Sequence, residues 1–194
     1  MNETVEFVLA EYDKRAAEEW KARQHMSEGE ETSRRDDFLL SMGRHTGQLL
    51  NVLIKGAKAK SILEIGTSYG HSTVWLAEAA RCTGGRVVTI DCIAKKHEYA
   101  RAMLTKAGIG HHVEFRLGDA REIIARLPGP FDFVLLDVWK EAECWCLRGC
   151  RQYGPSRMVT RRCMGLPQTR ARPVEGRFSL VDRWQRSRTQ SVWR

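Results

Sequence analysis

Apolar residues recur along the chain in three regimes. Over residues 3–24, Val5, Val8, Leu9, Tyr12, Ala16 and Trp20 fall at three- and four-residue steps with charged residues between them, the period of an amphipathic helix. Ser27–Asp37 is polar and predicts a loop or a frayed helix end. A second helix is expected from Gly47 to about Lys55, where Leu49, Leu50, Val52, Leu53 and Ile54 give a wide apolar face and Gly56 supplies a stop. A strand–helix alternation follows: strand Ser61–Ile65, helix Ser72–Arg81, strand Arg86–Ile90, helix Lys95–Ala107 closed by Gly108, strand His112–Leu117, helix Ala120–Leu127 and strand Phe131–Asp137. Parallel strands need crossover connections, so this alternation predicts an α/β domain whose parallel sheet is covered on both faces. After Lys140 the alternation stops, and residues 141–194 show neither an apolar strand run nor a sustained helical period.

Length and composition agree with one folded domain: 194 residues, 42% hydrophobic and 29% charged. No run of 18 or more apolar residues appears, so no membrane partner is expected. The acidic opening MNETVEFVLAEYDK is unlike a secretory signal, which makes the cytoplasm the expected compartment. The net charge of +8 points toward nucleic acid only until it is located. Residues 141–194 carry twelve Arg, no Lys and four acids, which accounts for all of it; the first 140 residues balance twenty bases against twenty acids. The charge therefore says nothing about what the front of the chain binds, and nucleic acid is not an expected partner. Two alternatives remain for the tail: a zinc cage from Cys144, Cys146, Cys150 and Cys163, whose spacing lacks paired C-x2-C knuckles, and an Arg-rich arm for phosphates.

The chemistry concentrates in Ile62-Leu-Glu-Ile-Gly-Thr-Ser-Tyr-Gly-His-Ser-Thr73. A buried strand feeds a turn containing Gly66 and Gly70, and a helix starts directly after it. Such a turn lets the backbone approach a ligand, and unpaired N–H groups at the helix start can bind a carboxylate. The next strand ends in Asp91, placed to accept both hydroxyls of a ribose. Gly66 and Gly70 are three residues apart, with no third glycine in the G-x-G-x-x-G register, which counts against NAD or FAD. A strand–turn–helix without a ligand remains the plain alternative. The six histidines show no metal spacing and read as surface or loop residues.

The pattern E-x-G-x-x-x-G, beginning at Glu64, resembles motif I of the class I S-adenosylmethionine-dependent methyltransferases. Phe131-Asp-Phe-Val-Leu-Leu-Asp-Val-Trp-Lys140 is similar to the corresponding segment of the catechol and caffeoyl-CoA O-methyltransferase group (family 3). Met42-Gly-Arg-His-Thr-Gly-Gln48 and Gly118-Asp-Ala120 match two further segments of that group, so the likeness runs from about residue 3 to Lys140. It implies a Rossmann-like methyltransferase domain over 1–140, with N-terminal helices in 3–55 and the core in 60–140, followed by an atypical tail over 141–194.

The resemblance also implies roles. Gly66, Thr67, Ser68, Tyr69 and Gly70 would cradle S-adenosyl-L-methionine, with Glu64 and Asp91 gripping its polar groups, Cys92 beside them and Ser72 on its carboxylate. Met42 would cover the methionine portion. Gly118, Asp119 and Ala120 would contact the adenine, although Asp119 can equally be a helix N-cap, or serve both. Asp137 would bind a divalent cation such as Mg2+, and Lys140 would be the general base. The implied reaction is methyl transfer to a hydroxyl of a small aromatic molecule, by a chain for which a homodimer is compatible.

The family continues with a helix, a fifth strand ending in an Asp-Asp or Asp-Asn pair, and a closing hairpin, seven strands in all. None of this is legible after Lys140, so Asp137 is the one recognisable carboxylate for a cation that wants about six oxygens. The tail reads as disordered or as an out-of-frame translation. Shifted forward by one base, permitted codons for Phe178–Arg194 can spell S-V-S-L-I-G-G-S-G-L-E-L-S-L-Y-G, similar to the family's closing strand pair. The matching functional alternative is a truncated or frameshifted methyltransferase that binds the cofactor without turnover.

Overall fold

The computed structural model describes residues 1–138 and the strand 157–160. Helix α1 (Glu3–Arg23) is N-capped by Asn2, which accepts from the Thr4 amide, and it buries Val5, Val8, Leu9 and Tyr12, the stripe predicted from the sequence. Within the polar stretch that follows, the structure forms the short helix α2 (Glu28–Ser33) and a 3-10 turn at Arg35–Asp37. Ser27 and Glu30 cap α2 reciprocally, which lets a segment without an apolar face hold one and a half turns. Helix α3 (Arg44–Ala57) starts three residues before the predicted start, because His45 and Thr46 in its first turn carry no apolar signal, and ends at Lys58 in the left-handed conformation.

The alternation then appears as expected: β1 (Ser61–Ile65), α4 (His71–Thr83), β2 (Arg86–Asp91), α5 (Ala94–Lys106), β3 (Val113–Leu117), α6 (Ala120–Ile124) and β4 (Phe133–Leu136). A fifth strand, β5 (Arg157–Thr160), corrects the expectation that no strand follows Lys140. It pairs in parallel with β4 from Phe133↔Arg157 to Leu136↔Thr160. Its sequence R-M-V-T has only two apolar residues, too few to stand out as a strand run.

Among the described residues all pairings are parallel, in the order β3-β2-β1-β4-β5. The period of two along each strand sorts the core into layers. Ile62 of β1 with Phe133 and Leu135 of β4 meet Leu50 and Ile54 of α3 and Leu76 of α4 on one face. Leu63 and Ile65 with Val134 and Leu136 meet Ile124 of α6 on the other. Helix α1 lies outside α4 and α5 through a further cluster with Trp75, Met103 and Leu104. The chain steps outward from β1 to β2 to β3, then returns to lay β4 against the opposite side of β1. Such a reversal of strand order opens a crevice at the carboxyl ends of the strands.

Candidate functional site

The crevice edge begins at the loop after β1. Gly66 and Thr67 both donate to the carbonyl of Ile90 at the end of β2, at 2.9 and 3.2 Å. Gly66 has φ +101°, and a Cβ there would lie 2.1 Å from the Asp137 carbonyl, so only glycine lets β1 and β4 close at this point. Ser68 is left-handed, at φ +47°, a conformation that costs a non-glycine residue about 1 kcal/mol and must be held by its surroundings. Asp91 supplies one restraint: Oδ2 accepts from the Ser68 amide at 2.7 Å, and Oδ1 from the Ile93 amide at 3.0 Å. Each oxygen keeps a second lone-pair direction for a ligand hydroxyl. Gly70 precedes α4, and no side chain caps that helix, so its first-turn N–H groups remain available to an anionic group.

Beneath the loop lies a buried polar chain that sequence reading did not assemble. Glu64 is 0% exposed; its Oε2 accepts from the hydroxyls of Thr73 at 2.6 Å and Thr89 at 2.7 Å. The Thr89 hydroxyl lies 2.5 Å from that of Thr67, which lies 3.1 Å from His97 Nε2. A hydroxyl has one proton to give, so with Glu64 ionised the directions are forced: Thr89 donates to Glu64, Thr67 to Thr89, and His97 Nε2–H to Thr67. Burial pushes the Glu64 carboxyl up to about 7, against the pull of the Ser72, Thr73 and Thr89 hydroxyls and with a further push from Asp137. With no exposed surface, the carboxylate ties loop, sheet and α4 together through Oε2, while its Oε1 has no hydrogen-bond partner among the described residues.

Two histidines expected at the surface are buried, a second correction. His97, 5% exposed, ends that polar chain. His71, at the start of α4, places Nδ1 3.1 Å from Ser41 Oγ and edges onto the Tyr12 ring, and burial pushes its imidazole down to about 4. Both occupy helical positions facing inward, where local hydroxyls rather than solvent satisfy a ring nitrogen. Ser72 is also buried, while Met42, half-buried, packs beside α3 and α4 next to the Ser41–His71 contact.

The remaining candidates line the same edge. Cys92 follows Asp91 with an exposed thiol. The Gly118 amide donates to the Asp91 carbonyl at 2.9 Å, bringing Gly118, Asp119 and Ala120 beside the end of β2. Asp119 is the N-cap of α6, accepting from the Arg121 amide at 2.8 Å, and its ion pair with the Arg121 side chain holds its carboxyl down at about 2. The Asp137 amide donates to Ile65 at 2.9 Å, fixing that residue at the end of β4 beside the glycine turn. Lys140, the tail cysteines and the segment read as out of frame lie outside the described residues. Among the described residues no three His, Cys, Asp or Glu side chains converge as a metal site. No helix among them is long and apolar enough to cross a membrane.

With this edge defined, known proteins can be compared. Residues 16–145 match the model of the O-methyltransferase family. The chain belongs to this family. Among relatives of this family member, a catechol O-methyltransferase of Mycobacterium tuberculosis is 37% identical over 118 residues, 58% of this chain and 53% of that protein. A caffeoyl-CoA O-methyltransferase of Petroselinum crispum is 32% identical over 109 residues, 53% of this chain and 45% of that protein. The chain thus spans about half the length of the curated relatives it matches. Among solved structures, the O-methyltransferase TomG from Streptomyces achromogenes, in complex with SAM, superimposes with TM-score 0.59 at 30% identity. It covers 82% of this chain and 65% of that one. An O-methyltransferase from Bacillus cereus in complex with SAH gives 0.60 at 26%, over 82% and 65%. The sheet and helices are those of the Rossmann-like methyltransferase fold.

Proposed function

We propose that this chain transfers a methyl group from S-adenosyl-L-methionine to a hydroxyl of a small aromatic molecule. The observation that carries this reading is the convergence, at one edge of a parallel sheet, of the Asp91 carboxylate, the strained loop 66–70 and the uncapped start of α4. Their chemistry suits a nucleoside at one end and a carboxylate at the other. SAM- and SAH-bound structures of similar proteins support it.

In this reading Asp91 accepts from the two ribose hydroxyls with the lone pairs that Ser68 and Ile93 leave, and Cys92 flanks it. Gly118, Asp119 and Ala120 border the adenine, Asp119 also capping α6. The Ser68 hydroxyl and the first-turn amides of α4, that of Ser72 among them, receive the amino-acid end, with Gly66, Thr67, Tyr69 and Gly70 shaping the loop around it and Met42 covering it. Glu64 lies beneath, fixing Thr73 and Thr89 through Oε2 and offering Oε1 to a polar group of the cofactor. Bound there, the cofactor supplies an electrophilic methyl group on a positively charged sulfur. Lys140, as its neutral amine, takes the proton of the acceptor hydroxyl while that oxygen bonds to the methyl carbon, and the carbon–sulfur electron pair stays on sulfur. Asp137 orients the acceptor side; no step is routed through a metal.

Calorimetry of the full chain with S-adenosylhomocysteine, paired with methyl-transfer assays on catechols with and without Mg2+, tests this. Binding and turnover are expected. Binding without turnover favours a cofactor-binding form that has lost activity, and no binding overturns the assignment. Asp91→Asn keeps the side-chain size but halves its acceptors, and weakens S-adenosylhomocysteine binding by roughly 10-fold or more.

A further inference from the structure

Tyr69 belongs to the loop, yet its side chain is committed to the N-terminal part of the chain. The hydroxyl donates to the Asp36 carbonyl at 3.0 Å. The ring lies 4.0 Å from the Arg15 guanidinium carbon and edge-on to Tyr99, with centroids 5.4 Å apart. Its backbone carbonyl accepts from the buried Tyr12 hydroxyl at 2.6 Å. Arg15 is held in turn by Glu19 at 2.7 Å and donates to the Asp37 carbonyl at 3.1 Å. The same turn is tied to the first turn of α5, where Lys96 pairs with Asp36 at 2.7 Å and Lys95 with Asp37 at 2.9 Å.

The strained residue Ser68 is therefore gripped from two directions. Asp91 holds its amide from the sheet, and Tyr12 holds the next carbonyl from α1. We propose that Tyr12 and Arg15 are positioning residues: through Tyr69 they hold loop 66–72 in the conformation that binds the nucleoside cofactor. This rests on the cofactor reading above. Neither residue needs to touch the ligand. Tyr12 removes one degree of freedom from the backbone beside Ser68, and Arg15 pins the ring that would otherwise let Tyr69 swing with the loop. Held in place beforehand, the loop binds without first being ordered.

The test uses the full chain and three substitutions. Tyr12→Phe deletes only the hydroxyl, and Arg15→Lys keeps the charge but loses the planar fork over Tyr69. Lys106→Ala loosens the same helix elsewhere, at its pair with Glu11 and its approach to Phe7, without touching Tyr69. By calorimetry, Tyr12→Phe weakens S-adenosylhomocysteine binding by roughly 5-fold, as expected for one buried hydrogen bond. Arg15→Lys weakens it in the same direction, and Lys106→Ala leaves it unchanged. Hydrogen exchange at 66–72 without ligand speeds up in the first two variants only. A merely structural role for α1 would move all three alike and overturns the proposal, as does unchanged affinity in both Tyr12→Phe and Arg15→Lys; either result leaves the cofactor reading standing. No binding by the unaltered chain overturns that reading and the proposal with it. If Tyr12→Phe does not fold, Arg15→Lys against Lys106→Ala makes the same comparison.

Discussion

Glu64 and His71 are buried titratable groups whose effects on stability run in opposite directions with pH. The folded Glu64 carboxyl, near 7, holds its proton more tightly than the ordinary carboxyl at 4.5. Its contribution is therefore present at low pH and lost as pH rises through about 7, by an amount on the order of 3 kcal/mol. His71, near 4 against an ordinary 6.5, behaves oppositely: stability is full above 6.5 and falls as the solution is acidified toward 4. Urea denaturation across pH should separate them. Relative to Glu64→Gln, the unaltered chain loses stability between about pH 5 and about pH 7.5; relative to His71→Gln, it loses stability below about pH 6. Gly66→Ala places a methyl 2.1 Å from the Asp137 carbonyl at a left-handed φ. Both the clash and the strain predict a loss of roughly 3 kcal/mol or more, read as a lower urea midpoint, together with loss of nucleoside binding.

Between elements, the contact of α3 with α4 turns on Gly47. Alanine ordinarily favours a helix over glycine by about 1 kcal/mol. Here its Cβ would lie 2.2 Å from the buried Trp75 ring, so Gly47→Ala should instead destabilise by roughly 1–3 kcal/mol, measured by denaturation. At α2, Ser27→Ala removes one half of the reciprocal cap and should cost about 1 kcal/mol, read in the same measurement. Elements long enough to show a period were legible in the sequence: Val5, Val8, Leu9 and Tyr12 marked α1, and S-I-L-E-I marked β1. Helix α2 was not, since six residues cannot display an apolar stripe, although Ser27 and Glu30 stand at capping-box spacing. Strand β5 was hidden by its two flanking polar residues. The site divides in the same way. Gly66, Gly70 and Asp91 were readable because a backbone turn and a strand end dictate residue type locally. The Thr67–Thr89–Glu64 chain was not, because those hydroxyls meet across 22 and 25 positions, and neither was Tyr12, whose acceptor lies 57 residues away.

For the whole molecule, β5 covers one side of β4, whose four residues are all buried. Deleting 141–194 would strip that partner and leave the backbone edge of an apolar strand open, so the shortened chain should associate at micromolar concentration, seen by light scattering. If it stays monomeric, the tail contributes nothing to the sheet. The other end of the chain carries a consequence for biosynthesis. Helix α1 is made before α4 and α5, yet its apolar stripe is sealed by them, and the Thr4 hydroxyl bonds the Ala107 carbonyl 103 residues later. At ribosomal speeds of about 5–20 residues per second, Val5, Val8, Leu9 and Tyr12 wait roughly 5–20 s for their cover, an interval in which a nascent-chain chaperone has a greasy helix to hold.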